Sequence, residues 1–214
     1  MGVKLVAFDC DGVLVDVVSS WEHIHDHFGA SNAEAVRAYL RGDIDGLEFM
    51  RRDIALWRAK EPDITLSRVK GILMEIRPMK GLDELSRALR ECGCRAVIIS
   101  GGLDLLVDEV VRWLGAVKGY SNGLEADGKG RLTGEGILRV EPKDKRGPLL
   151  EVMKSLGLRK KDVAAVGDTA GDVTMFRDVG LSVAFNPQDD TVRRRADHVV
   201  EKKDLRELID VLLE

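Results

Sequence analysis

Short apolar runs of four to six residues alternate along the chain with longer segments whose apolar positions recur every third or fourth residue. The runs Val3–Phe8, Ala96–Ile99, Val163–Val166 and Leu181–Phe185 are apolar on both faces, with Lys4 and Ser182 the polar exceptions, and partly β-branched. Strands covered on both sides have that character, because neither face alternates to water. Between them, Asp83–Glu91, Asp104–Leu114, Pro148–Leu156 and Asp172–Val179 carry the helical period. Strand and helix in alternation predict an α/β chain with a parallel sheet.

Two segments interrupt the alternation. Val17 to about Arg77 reads as several helices without a strand, between Asp16 and Pro78-Met79-Lys80-Gly81. A strand-to-strand connection of that length forms a unit of its own. The expected division is a core domain of residues 1–16 and 78–214 and a helical cap of residues 17–77. In Tyr120–Val140, Asn122-Gly123 and Asp127-Gly128-Lys129-Gly130 are turn signals that predict a small β-hairpin or ribbon. The fold class expected is therefore α/β: a Rossmann-like parallel sheet core with a small inserted helical cap and a short β-hairpin.

Composition narrows the chemistry little. Hydrophobic residues at 44% and charged residues at 33% are those of a globular domain, and a net charge of −4 with mixed signs gives no case for a nucleic-acid partner. No apolar stretch is long enough to cross a membrane, Met1-Gly2-Val3-Lys4 does not open a signal peptide, and the chain reads as cytoplasmic. Cys10, Cys92 and Cys94 form no disulfide framework, and Cys92-Gly93-Cys94 lacks the second pair of a zinc site.

The polar residues that matter stand where the strands stop. Asp9 and Asp11 follow the first strand, Ser100-Gly101-Gly102 the second, Gly167-Asp168 the third and Asn186-Pro187 the last. In an open parallel sheet these carboxyl ends share one edge, outside which the binding crevice lies. Asp9, Asp11, Asp168 and Asp172 would then crowd together at a severe cost in repulsion and desolvation. A hard divalent cation relieves it, and Mg²⁺ suits a site of carboxylates, waters and phosphate oxygens. Taken singly, such aspartates are equally at home as helix caps and turn residues. Ser100-Gly101-Gly102 offers a hydroxyl and unobstructed N–H groups that can cradle a phosphate, or is simply a turn. Lys143, Lys145 and Arg146 offer cations to hold anionic oxygens, at least two of them expected to be surface charges.

In this order, Asp9-Cys10-Asp11-Gly12-Val13-Leu14, Ser100-Gly101, a lysine near 145 and Gly167-Asp168-Thr169-Ala170-Gly171-Asp172 resemble the motifs of the haloacid dehalogenase superfamily. The chain is most similar to its phosphoserine phosphatase branch, along nearly its whole length. The resemblance implies a phosphatase in which Asp9 is the nucleophile and Asp11 the acid and base. Ser100, with Gly101, would hold the phosphate, and Lys145 would be the active-site cation. Mg²⁺ would be bound by Asp9, Asp168 and the carbonyl of Asp11, with Asp172 binding the ion or orienting its waters. The substrate would be a small phosphorylated metabolite, phosphoserine being one candidate. Transfer to another alcohol, or metabolite binding without catalysis, is the alternative, and the oligomeric state stays open, a homodimer included.

The resemblance is incomplete in the cap. Val18 stands where that branch places a glutamate for the substrate ammonium, and Asp53 stands near its carboxylate-binding arginine, with Arg51 and Arg52 adjacent. Arg52 is the candidate for that contact. Gly171 replaces a usual asparagine. His23, His25 and His27 crowd one segment; on a helix His23 and His27 share a face that suits a ligand or plain solvent exposure. Among other classes, a signalling receiver domain also phosphorylates an aspartate on a parallel sheet, but its acceptor follows a middle strand, where this chain has Ser100.

Overall fold

The computed structural model describes residues 2–213. Among them, seven strands form one sheet in the order β4-β3-β2-β1-β5-β6-β7. In chain order the elements begin with β1 (Leu5–Phe8) and then four helices, α1 (Ser20–Phe28), α2 (Ala33–Arg41), α3 (Gly46–Lys60) and α4 (Leu66–Leu73). Next come α5 (Leu82–Glu91), β2 (Arg95–Leu103), α6 (Asp104–Leu114), β3 (Lys118–Ala126), β4 (Leu132–Ile137) and α7 (Arg146–Ser155). The chain continues through β5 (Val163–Gly167), α8 (Val173–Phe176), β6 (Leu181–Phe185), α9 (Asp190–Arg195), β7 (His198–Val200) and α10 (Glu207–Leu213). The sheet is parallel except for β4, which returns antiparallel to β3.

Side chains along the central strands part by alternation. Val6, Phe8, Ile98 and Val166 face one layer of helices, with Leu85 of α5, Val107 of α6 and Leu208 of α10. Leu5, Ala7, Val97 and Ala165 face the other, with Leu149 and Val152 of α7. Both faces are covered, which is why these runs are apolar on both faces. The apolar cluster of the first face continues into the four-helix segment through Ile24, Ile54, Trp57 and Ile72. Residues 17–77 therefore contain helices and no strand, as read, but share their apolar core with the sheet.

The expected hairpin forms from β3 and β4, with two refinements. Its first strand is not a separate ribbon: β3 pairs in parallel with β2 and so extends the main sheet. Asn122-Gly123 is not a turn either, since both residues lie inside β3. The buried Asn122 amide spans the gap where strands diverge, donating to the carbonyls of Gly101 and Val140 and accepting from the N–H groups of Arg139 and Val140. The turn is at Asp127–Gly130, where the Asp127 carboxylate accepts from the N–H groups of Lys129 and Arg131. β2 also runs past Ile99 through Ser100-Gly101-Gly102, so that segment is strand end rather than turn. The helix expected over Asp172–Val179 is a single turn. No helix among the described residues is long and apolar enough to cross a membrane.

Candidate active site

Register brings the strand ends level. Phe8 pairs with Ile98 on one side and Val166 on the other, so Asp9, Ser100 and Asp168 emerge at one edge of the sheet. All three are buried, as are Lys145 and Asp172. Asp9, Ser100, Lys145 and Asp168 border a cavity of about 410 Å³, whose other wall comes from α1–α3 and the loop before α7.

Lys145 Nζ sits 2.8 Å from Asp9 Oδ2 and 2.7 Å from Asp172 Oδ1. Its neighbours are engaged elsewhere: Lys143 donates to the carbonyl of Tyr39, and Arg146 Nε lies 2.6 Å from Asp178 Oδ2. Of the three cations, the structure thus brings Lys145 to the aspartates. Burial alone would push its ammonium down, but the Asp172 and Asp9 carboxylates more than reverse that and hold the proton on.

Asp172 also fastens the loop it closes. Its Oδ2 accepts from the N–H groups of Asp168 and Thr169 at 3.1 and 3.0 Å and from the Thr169 hydroxyl at 3.0 Å. Its side chain is therefore not the cap of α8 but a brace that aims Asp168. Asp11 is oriented from the other side, its Oδ2 accepting from Ser20 N–H, the first of α1, at 2.6 Å. Burial pushes the Asp11 carboxyl up, and the Ser20 hydrogen bond opposes it.

Several carboxylate oxygens have nothing to bind. Asp168 Oδ1 and Oδ2 and Asp11 Oδ1 are buried without a hydrogen-bond partner among the described residues. Oxygens of Asp9, Asp168 and Asp172 lie within 4.8 Å of one another. Burial, then the charges of Asp9 and Asp172, pushes Asp168 up to about 9. For Asp9, burial raises the carboxyl to about 7 although Lys145 pulls the other way. Bare carboxyls this close and this dry retain protons, and a cation that replaces those protons fits them. A hard oxygen-seeking dication matches the donor set. Both Asp172 oxygens are already engaged, so Asp168 has the greater capacity for it.

Two glycines make the approach of these loops possible. Gly12 has φ 76°, and a Cβ there would overlap the Asp168 carboxylate. At Gly171, where related motifs carry asparagine, the carbonyl of Pro142 occupies the space a side chain would need. Ser100 Oγ accepts from Gly102 N–H at 3.1 Å, while the Gly101 carbonyl is held by Trp21 Nε1 and Asn122 Nδ2 at 3.2 and 3.1 Å. Asn122 is a positioning residue that the sequence reading missed; an Asn-Gly pair signals a turn by default.

Arg52 does not join the site. It projects from the outer side of α3, with Nε 2.9 Å from Glu48, and Arg51 similarly meets Glu135 at 2.7 Å. The histidine reading is also corrected. His23 and His27 face α4, the first 3.2 Å from the Ile72 carbonyl and the second 2.9 Å from Arg68, so they brace helices. The middle one, His25, is buried beside Asp53, a residue of the cavity wall.

This arrangement is that of a known class: the chain belongs to the haloacid dehalogenase-like hydrolases, whose family model matches residues 3–180. Within that class it is phosphoserine phosphatase-like. It is 29% identical to the phosphoserine phosphatase of Methanocaldococcus jannaschii over 212 residues, 96% of either chain. The phosphoserine phosphatase of Albidiferax ferrireducens is 32% identical, with 97% of this chain and 89% of that one covered. A solved phospho-aspartyl intermediate analogue of phosphoserine phosphatase matches with a TM-score of 0.83 at 27% identity, over 99% of this chain and 100% of that one.

Proposed function

We propose that the chain is a Mg²⁺-dependent phosphomonoester hydrolase acting on a small phosphorylated metabolite through an aspartyl phosphate on Asp9. The observation that carries the reading is the buried Lys145 ammonium 2.8 Å from Asp9 Oδ2, next to the donor-free carboxylate of Asp168. An Asp9 carboxylate so held is fixed for attack on phosphorus while Lys145 neutralises incoming oxygens. Ser100, with the backbone of Gly101, would receive the phosphoryl group.

Asp9 attacks phosphorus, and the ester P–O bond breaks as Asp11 gives its proton to the departing alkoxide. Asp11 then takes a proton from water, whose oxygen attacks the phosphoryl group; the bond to Asp9 breaks and inorganic phosphate leaves. A raised Asp11 fits the first half of that cycle, since the acid must still hold its proton near neutrality. Asp9, Asp168 and the carbonyl of Asp11 would hold Mg²⁺, with Asp172 orienting the loop. Bound there, Mg²⁺ supplies charge neutralisation to the carboxylates and the transferring phosphoryl oxygens. We read residues 17–77 as a cap over this chemistry, and the enzyme as cytoplasmic.

The test is phosphate release from a panel of phosphomonoesters, with and without Mg²⁺, by the wild type and by Asp9→Asn. Release should need both the ion and Asp9, with a loss on the order of 10⁴-fold or more in the variant. Undiminished release by Asp9→Asn would end the proposal.

A further inference from the structure

Taken as a whole, the cavity wall has an unusual charge balance. Asp9, Asp11, Glu22, Asp53 and Asp168 line it, against the single ammonium of Lys145, which Asp9 and Asp172 already hold. Arg51 and Arg52 are turned away to Glu135 and Glu48. Val18, also on the wall, brings no charge. Among the described residues, a carboxylate on the substrate would find no free cation there and would meet Asp53 instead.

Asp53 is 1% exposed and firmly placed. Its Oδ1 lies 3.3 Å from His25 Nε2 and accepts from Asn32 Nδ2 at 3.1 Å. His25 Nδ1 in turn accepts from the Trp57 indole N–H at 3.1 Å, while its Nε2 makes no hydrogen bond among the described residues. The hydrogen bond that places Asp53 thus comes from Asn32, with His25 packed alongside. No donor among the described residues reaches Asp53 Oδ2 or the Glu22 carboxylate. Two aromatic rings share this wall, Trp21 stacked on Trp57 at 5.3 Å and Phe49 stacked on Tyr39 at 4.9 Å. Ring faces beside unspent carboxylates are what a cation binds.

We infer, resting on the phosphatase reading above, that the leaving alcohol carries a positively charged nitrogen and no carboxylate: the substrate class is phosphorylated amino alcohols, and Asp53 is the residue that selects them. The nitrogen would sit by Asp53 and Glu22 against the Trp21 and Phe49 rings, with the phosphoryl group at Asp9.

The experiment compares kcat/KM for O-phosphoethanolamine and phosphocholine with that for phosphoserine, phosphoglycolate and the neutral p-nitrophenyl phosphate. The cationic esters should lead phosphoserine by about tenfold or more, the scale of one lost or gained cation contact. Asp53→Asn, which keeps an oxygen for Asn32, should lower the ratio of cationic to neutral ester by about tenfold, with Glu22→Gln lowering it less. Should Asp53→Asn not fold, Glu22→Gln alone carries that arm. Preference for phosphoserine or phosphoglycolate, or an unchanged ratio in both variants, would overturn the inference. Calorimetric binding of the same esters to Asp9→Asn with Mg²⁺ separates the two proposals. Tighter binding of the cationic esters without turnover of any ester by the wild type would sink the phosphatase reading and support the charge selection. Equal or weaker binding of the cationic esters would sink the selection whatever the turnover.

Discussion

At the sheet edge Asp9, Lys145, Asp168 and Asp172 hold one another in place, with Asp172 tied to two backbone N–H groups and Gly12 leaving room for Asp168. Across the same cavity Val18 is exposed, the Glu22 carboxylate has no hydrogen bond or ion pair among the described residues, and Asp53 is fastened through one oxygen. The first wall is built so that each residue constrains the next; a change in one costs the others. The second carries fewer such ties, and we expect its charge to change at less cost to the fold and the reaction. The chain resembles phosphoserine phosphatases over nearly its whole length and yet departs from their pattern at Val18 and Asp53, both on the second wall. A class of reaction is legible from the interlocked side of a site, and a substrate only from the side that is free to vary.

The sharpest way to break this comparison is to cut the interlocked wall. Lys145→Met leaves Asp9 and Asp172 as unpaired buried carboxyls, which typically costs roughly 3–5 kcal/mol and here should also remove about 10³-fold of the turnover. Urea unfolding and phosphate release, each with saturating Mg²⁺, would measure the two effects. A loss of turnover without a loss of stability would mean that the ammonium serves the substrate alone. Gly12→Ala comes next. The methyl would overlap the Asp168 carboxylate at a positive φ, costing about 1–2 kcal/mol in backbone strain and displacing Asp168. We expect weakened Mg²⁺ binding by calorimetry in a folded protein; unchanged binding would remove Asp168 from the ion's first contacts.

The asymmetry also governs what the sequence could disclose. Asp9, Ser100 and Asp168 were legible because parallel strands must end at a common edge, whatever their distance along the chain. Lys145 could be narrowed only to a trio of cations, since which of them turns inward depends on tertiary partners: Tyr39 for Lys143 and Asp178 for Arg146. Asn122 was misread because its amide replaces strand hydrogen bonds between β3 and the Arg139-Val140 segment, a long-range role identical in local sequence to a turn. Arg52 failed because one residue on a helix is a rotation of about 100°, enough to swap cavity for solvent. His25 was passed over for the opposite reason: the His23 and His27 pair has the conspicuous spacing, and both side chains turn to α4.

A gentler test asks whether the crowded carboxyls await an ion. Burial and neighbouring charges raise Asp168 from 3.8 to about 9 and Asp9 from 3.8 to about 7. Between those limits the folded chain without metal binds more protons than the unfolded one, so its stability falls as pH rises. Mg²⁺ binds the deprotonated carboxylates, and its stabilisation must therefore grow with pH. The gain in Tm at saturating Mg²⁺ should be larger at about pH 8.5 than at about pH 6, by a few degrees. Equal gains at both would show that Asp168 is already ionised at the lower pH.

The smallest effect expected lies where the two walls meet. The Tyr39 hydroxyl of α2 donates to Glu141, and Lys143 reaches the Tyr39 carbonyl while its ammonium lies 3.8 Å from the ring centre. Both partners belong to the stretch that leads into Lys145, so this contact joins the helical wall to the interlocked one. Tyr39→Phe keeps the ring and the Lys143 contacts and removes one hydrogen bond, worth about 1 kcal/mol or less. Because the bond ties the walls together without touching phosphate, KM should rise about two- to fivefold with kcat nearly unchanged, together with faster hydrogen exchange in α2. A fall in kcat at constant KM would instead place this contact in the support of Lys145, and the division between a fixed and a free wall would have to be redrawn through α2.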